Sequence, residues 1–338
     1  MRYIKCPRCN LNYILEGDEY CEVCKNQIGY TGRAEIDEIE HIYEYVCNVF
    51  DDFKQYVDTN NVLCDLKSIT FESNRLPDYH NVHVQQLYLL RYSYAYAYEY
   101  KFMYSNLFAN NIIEGSTISV TSFGCGNMID YWALVKALNA HNQNSRTVYY
   151  TGIDVIDWQY KVRTRKKDTV LFKQADVIDY LKKQTNLNSD IYFFPKSISE
   201  FSDSDFNALC YYFHTKPILK DKFYLLVSIR PVDIWGGKDI DRVVQLVKAI
   251  TVNGFVTTDD LSTYFSPQMK EENIWRLDND FNYPTEIIDT LKNLTDKCIT
   301  ENSKHQDCSK CDNINRSPIL TAKYVQYQRL TFYRGQLK

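Results

Sequence analysis

The chain has 338 residues, 45% of them hydrophobic and 24% charged, with 39 Lys and Arg against 43 Asp and Glu for a formal net charge of -4. Such a composition belongs to a globular protein of about two domains, and its acidic balance excludes holding nucleic acid or anionic lipid by bulk charge, leaving only a local basic patch open. No apolar run approaches the roughly 20 residues needed to span a bilayer, and the opening MRYIKCPRCN has no apolar signal core, so a cytoplasmic protein without membrane contact is expected. The 29 tyrosines read as compositional bias rather than as chemistry.

The eleven cysteines are unevenly placed. Four stand at the start as Cys6-Pro-Arg-Cys9 and Cys21-Glu-Val-Cys24. In a chain without an export signal, paired CxxC units read as metal ligands rather than disulfides. Tetrahedral Zn(II) takes four thiolates, two from each tight knuckle. A short hairpin, with a strand at 11–15 and a turn at 16–19, would carry the second knuckle back to the first. About 30 residues cannot build a sufficient core, so the metal would supply much of the folding free energy. Residues 1–30 resemble a rubredoxin-type zinc ribbon. Its charges balance, Arg2, Lys5, Arg8 and Lys25 against Glu16, Asp18, Glu19 and Glu22. A structural or protein-docking role is therefore as well supported as nucleic-acid reading.

Residues 31–115 form a helical segment. Ile36, Ile39, Tyr43, Val46, Phe50, Phe53 and Val57 recur at spacings of three and four, one stripe of a helix of about 22 residues. At 84–108 two periods compete. Tyr92, Tyr94, Tyr96, Tyr98 and Tyr100 alternate as in a strand, while Leu87, Leu90, Tyr94, Ala97, Lys101 and Tyr104 follow a helix. The length without Gly or Pro decides for helix. From 116 to 338 strands and helices alternate. Strands are expected at 118–123, 147–154, 170–173, 191–195, 222–229 and 322–334, and helices at 128–140, 177–184, 205–215 and 239–250. The fold class is α/β, a mostly parallel Rossmann-like sheet with helices on both faces.

Ligands in such sheets sit outside the carboxyl ends of the strands near the switch point. There the first strand ends in Phe123-Gly124-Cys125-Gly126, a turn whose missing Cβ atoms let a ligand approach the backbone. The second strand ends in Asp154, which can accept both hydroxyls of a ribose. The third ends near Asp176, placed to meet an exocyclic amine. The fourth strand and its exit loop, Phe193-Phe194-Pro195-Lys196-Ser197, would face the substrate.

This order resembles the class I S-adenosylmethionine-dependent methyltransferases. The resemblance implies cofactor contacts from Phe123, Gly124, Cys125, Gly126, Asp154, Asp176 and Phe194, and substrate-facing roles for Lys196 and Ser197. The helix before the first strand, with Arg91 among Tyr88, Tyr92, Tyr94 and Tyr96, is similar to the tyrosine and arginine helix of ribosome-associated methyltransferases. By that likeness the helical segment would cover the cofactor site at its methionine end and Arg91 would pair with the carboxylate, although Ser93 stands where they carry proline. Two alternatives stay open: a nicotinamide enzyme, which usually has a third glycine where Ile129 stands, and an α/β domain without a nucleotide. The acidic Pro-Pro loop of amino-methylating DNA enzymes is absent, as is a Pro-Cys nucleophile.

Two further clusters invite a reading. Lys161, Arg163, Arg165, Lys166 and Lys167 fall within seven residues and either dock a polyanion such as RNA or form a solvated face. Cys298, His305, Cys308 and Cys311, in an insertion near 298–311, have zinc-like ligand types, with an iron–sulfur cluster or uncoordinated thiols as the alternatives. The functional expectation is an S-adenosylmethionine-dependent methyltransferase that also holds Zn(II), its acceptor open, RNA before DNA. The alternative is a non-catalytic adaptor that binds RNA or protein on the same fold.

Overall fold

In a computed structural model the chain divides into two units, Met1–Glu38 and Ile39–Lys338. The structure describes residues 3–5, 12–14, 39–60, 79–109, 113, 115–230, 237–259, 274–280, 283–301 and 318–335. In the first unit, strands β1 (Tyr3–Lys5) and β2 (Asn12–Ile14) pair antiparallel, with Lys5 opposite Asn12. They flank the first CxxC in sequence. Cys6, Cys9, Cys21 and Cys24 themselves lie outside the described residues, as do His305, Cys308 and Cys311.

The second unit opens with helix α1 (Ile42–Asn60), which buries Val46, Val49, Phe50, Phe53 and Val57 along the anticipated stripe. It is shorter than expected, because Ile39 is buried ahead of the helix rather than within it. Helix α2 (Val82–Phe108) settles the competition of periods in favour of 3.6. Asn81 caps it, its side chain accepting from the His83 N–H at 2.9 Å. Tyr94, Tyr100 and Tyr104 turn inward, while Tyr88, Tyr92, Tyr96 and Tyr98 are half-buried.

The sheet follows. In chain order come β3 (Thr117–Phe123), α3 (Ile129–Ala140), β4 (Thr147–Asp154), β5 (Thr169–Gln174), α4 (Val177–Lys183), β6 (Ile191–Pro195), α5 (Asp203–Thr215), β7 (Lys222–Ser228) and α6 (Gly237–Val252). Three elements without a clear sequence pattern then intervene, β8 (Phe255–Thr257), β9 (Ile274–Asp280) and α7 (Thr285–Glu301). The long β10 (Thr321–Arg334) ends the described chain. Strand order is β5-β4-β3-β6-β7-β10-β8, with β9 pairing another stretch of β10. The five strands from β5 to β7 run parallel, and β10 is antiparallel to β7, β8 and β9.

Side chains alternate across each strand, so the sheet has two separate cores. On one face Ile118, Val120, Val148, Tyr150, Ile191 and Phe193 pack with α1, α2 and α3. On the other Phe123, Ile153, Tyr192, Phe194, Leu225 and Leu330 pack with α4, α5 and α6. This is the expected mostly parallel sheet with helices on both faces. One regular element is missing between β4 and β5, where residues 155–168 form a loop rather than a helix.

Candidate active site

The strand order reverses at β3, with β4 on one side and β6 on the other, so the crevice opens at the carboxyl end of β3. Gly124 and Gly126 take φ of 70° and 54° there, and Met128, the residue before α3, follows at 64°. The two glycines serve different ends. A Cβ at Gly124 would come within 2.6 Å of the Ser197 Cβ, so the exit loop of β6 is what requires glycine. A Cβ at Gly126 would meet only Trp158, at 3.8 Å, so the turn stays approachable at that point. The Gly124 and Cys125 N–H groups both donate to the Ile153 carbonyl, at 2.8 and 3.2 Å, which ties the turn to β4.

Asp154 ends β4 beside this turn. Its Oδ2 accepts the Gly126 N–H at 2.8 Å and its Oδ1 the Ile156 N–H at 2.9 Å. Burial raises its pKa, and the two backbone donors and the Trp158 indole pull the other way. Each oxygen keeps a further lone pair, and the side chain is only partly covered, so acceptance of two ribose hydroxyls fits the geometry. The carboxylate also holds the glycine turn, a structural role the sequence did not suggest.

The other expected contacts fare differently. Asp176 is exposed and caps α4, its side chain accepting from the Ile178 and Asp179 N–H groups through Oδ1. Phe123 and Phe194 are fully buried against each other, ring centroids 5.0 Å apart, in the core shared with α4–α6, so their side chains offer nothing to a cofactor. The thiol of Cys125 points into the other core, where a Cβ on Gly152 would approach its Sγ to 2.7 Å. Burial pushes that thiol well above its ordinary pKa, an inert packing group. Arg91 is half-buried on α2 with its guanidinium 5.3 Å from the Tyr92 ring.

The two residues expected to face substrate are both engaged internally. The Ser197 hydroxyl is buried and donates to the Phe123 carbonyl at 2.5 Å, bracing the turn. Lys196, in the left-handed region at φ 57°, pairs with Glu99 of α2 at 2.8 Å. Neither group is presented to an acceptor.

The sequence places the helix before the first strand over the site, and what it missed is the row of rings along α2. Tyr88, Tyr92, Tyr96 and Tyr100, four residues apart, have successive ring centroids 5.0, 5.2 and 5.7 Å apart. The row begins 5.5 Å from Trp158 behind β4 and ends 5.2 Å from Phe193 of β6. It therefore spans the crevice, and burial holds the hydroxyls of Tyr88, Tyr96 and Tyr100 neutral. The spacing of four was visible in the sequence, but the competing alternation hid it. Asp130, in the first turn of α3, was also missed. It is fully buried, takes the Tyr150 hydroxyl at 2.9 Å, and burial pushes it up to about 7.

In the cation run Arg165 is buried, Lys161 is half-buried, and Arg163, Lys166 and Lys167 are exposed. Arg165 and Asp168 form a buried pair at 2.7 Å, and Lys161 pairs with Asp157, also at 2.7 Å. Arg163 reaches Glu40 at 3.6 Å from a side chain that is 75% exposed. These residues lie on the loop after β4, not on a helix face. A separate groove of about 420 Å³ lies toward the amino ends of β3 and β6, where Asp190 pairs with Lys220. Among the described residues no cluster of His, Cys, Asp and Glu could hold a metal ion, and no helix is long and apolar enough to cross a membrane.

No family model matches the chain, and no curated protein does. Among solved structures it is similar to a SAM-dependent methyltransferase from Archaeoglobus fulgidus, at 13% identity over 69% of this chain and 94% of that one, TM-score 0.35. It is similar also to the plantazolicin methyltransferase BpumL in complex with SAH, at 11% identity over 86% and 100%, TM-score 0.37. A third is the 1,6-didemethyltoxoflavin-N1-methyltransferase of Burkholderia thailandensis, at 9% identity over 88% and 92%, TM-score 0.34.

Proposed function

We propose that this chain is a cytoplasmic methyltransferase that binds S-adenosylmethionine in the crevice between β3 and β4. The observation that carries the reading is the half-covered Asp154 carboxylate, held by the Gly126 N–H at a turn that stays approachable beside the switch point. Asp154 would take the ribose hydroxyls, Gly126 would admit the nucleoside against the backbone, and the uncommitted oxygen of Asp176 would reach the adenine amine. When bound, the cofactor supplies a methyl group already activated on sulfur. The protein's share is then to align the acceptor, exclude water and neutralise charge, and the tyrosine row of α2 is suited to the second task.

The test is calorimetry with S-adenosylhomocysteine. Asp154→Ala should weaken binding by about 1.5–3 kcal/mol, the scale of hydrogen bonds to a charged group. Because Asp154 also holds the Gly126 and Ile156 N–H groups, the variant should lose some stability as well. Asp157→Ala, which removes only an exposed partner of Lys161, serves as control. Absence of binding by the wild-type protein would end the methyltransferase reading.

RNA, before DNA, is the acceptor class we favour, on the ribbon, the tyrosines and the exposed cations Arg163, Lys166 and Lys167 together. The adaptor alternative has one observation in its favour, the internal engagement of Lys196 and Ser197. Tritiated S-adenosylmethionine separates the two, since an adaptor would bind without labelling RNA or protein. For the first unit we propose Zn(II) on Cys6, Cys9, Cys21 and Cys24, with a protein partner as its other use. The β1–β2 pairing on either side of the first CxxC suits a knuckle. Elemental analysis should find about one zinc per chain from those four thiolates, lost when Cys9 and Cys24 are both replaced by Ser.

A further inference from the structure

We propose that the groove at the amino ends of β3 and β4 is a second ligand site, apart from the crevice, for a neutral hydroxyl-rich ring of the saccharide class. The inference does not depend on the cofactor reading. Strands in a parallel sheet are ordinarily apolar on both faces, because helices cover both. β3 breaks that rule on one side. Ile118 and Val120 enter the core with α2 and α3, while Thr117, Ser119 and Thr121 line the groove on the face that carries α4. Register extends this polar face across the neighbours. Ser119 lies opposite Tyr149 and Thr121 opposite Thr151, with Thr169 and Leu171 of β5 next in each row. The face stays open because α4 is short. Its seven residues run roughly 10 Å, against roughly 26 Å for the eight residues of β4. Val177 and Leu181 cover Phe123 and Ile153 at the carboxyl ends, and toward the amino ends Tyr149 remains 50% and Leu171 43% exposed.

The lining names the ligand class. A cavity of about 420 Å³ is at the small end of the roughly 300–1,000 Å³ of small-molecule pockets. Its charges are already matched. Asp190 Oδ1 pairs with Lys220 at 2.7 Å, and Asp190 Oδ2 accepts the Ser119 N–H at 2.8 Å and the Ser119 hydroxyl at 2.7 Å. A charged ligand would have to break that set, so a neutral one is favoured. Thr121 and Ser189 likewise bond each other at 2.7 Å. What the lining still offers is neutral and two-sided. The side chains of Tyr149, Thr151, Tyr180 and Asn188 make no hydrogen bond among the described residues. Hydroxyls and an amide both donate and accept, which matches a ligand whose own hydroxyls do the same. The half-exposed Tyr149 adds a ring face, electron-rich at its centre, for the C–H groups of a sugar ring. The groove opens on the α4 face toward the amino ends, while the crevice lies beyond the carboxyl end of β3, so an occupant here and one on Asp154 would not compete.

Saturation-transfer NMR on the full chain tests this with the neutral methyl glycosides of glucose, galactose and ribose, against cationic glucosamine and anionic glucuronate. At least one neutral glycoside should saturate at millimolar concentration and bind about fivefold or more tighter than either charged sugar. Adding S-adenosylhomocysteine should change its affinity by less than about twofold. Tyr149→Ala should weaken it by about tenfold, and Thr151→Val, which removes a hydroxyl at constant shape on a strand, by about fivefold. Melting followed by circular dichroism guards both variants against a folding defect. Tyr211→Ala, at a tyrosine exposed on α5 outside the lining, is the control and should bind as wild type does. The proposal is overturned if no neutral glycoside saturates up to about 50 mM, or if the charged sugars bind equally well. Displacement by S-adenosylhomocysteine, or unchanged affinity in both Tyr149→Ala and Thr151→Val, would overturn it as well and leave a groove that only water fills.

Discussion

Asp168→Asn probes how firmly the loop after β4 is anchored. The Asp168 and Arg165 side chains are 0% and 1% exposed, and they meet twice, Nε to Oδ2 at 2.7 Å and Nη2 to Oδ1 at 2.9 Å. The same carboxylate accepts the Tyr131 hydroxyl at 2.7 Å and the Val148 N–H at 2.9 Å, so one group joins the loop, α3 and the start of β4. Arg165 gives two further donors to the Asn144 and Arg146 carbonyls. An amide in place of the carboxylate keeps the shape but removes the charge and turns an NH2 toward donors. Removing one partner of a buried pair costs about 3–5 kcal/mol, against a total stability of roughly 5–15 kcal/mol. Taking about 2–4 °C per kcal/mol, the melting temperature should fall by about 6–20 °C. Urea unfolding followed by far-UV circular dichroism measures the free energy directly, with an unchanged slope reporting an unchanged fold. The double variant Arg165→Met/Asp168→Asn should recover part of the loss, because no charge is left stranded and the amide oxygen still accepts from Tyr131 or Val148. A cost below about 1 kcal/mol in the single variant, or a double variant no better than the single, would refute the claim that this pair is a desolvated anchor.

Asp130 makes stability depend on pH in an unusual direction. Its folded pKa of about 7 lies above that of an unfolded Asp, so the folded state binds the proton more tightly. Its contribution is present at low pH and lost as pH rises from about 4 to about 7, at up to roughly 1.4 kcal/mol per unit. Asp130→Asn, which keeps an acceptor for Tyr150, should flatten that part of the melting profile, and parallel profiles for variant and wild type would count against it. Gly152→Ala should be destabilising although alanine is ordinarily the better strand residue. The new Cβ meets Cys125 Sγ at 2.7 Å and Tyr150 Cε1 at 2.9 Å, an overpacking of about 1–3 kcal/mol that outweighs a backbone gain of about 0.5–1 kcal/mol. Adding Cys125→Ala should restore part of the loss in thermal denaturation, and a Gly152→Ala protein as stable as wild type would show that the contact relaxes without cost.

The sequence by itself determined the alternation of strands and helices, the glycine turn and the acid at Asp154, because these are local. Period 2 against 3.6, a pair of glycines and a strand-ending carboxylate are written in adjacent residues. The two CxxC pairs are equally local, and their cysteines lie outside the described residues. What it did not determine is which way a side chain points once strands pair. Phe123, Cys125 and Phe194 stand in the right motif yet face the cores, since alternation along a strand sends neighbours to opposite sides and only the packed helices decide which side holds a ligand. The same physics engaged Ser197 with Phe123, and Asp168 with Tyr131 and Val148. Each is a polar group whose burial demanded a partner, and those partners were set by tertiary packing. Glu99 and Lys196 lie almost a hundred residues apart in the chain, and only the crossing of α2 over the exit of β6 brings them to 2.8 Å.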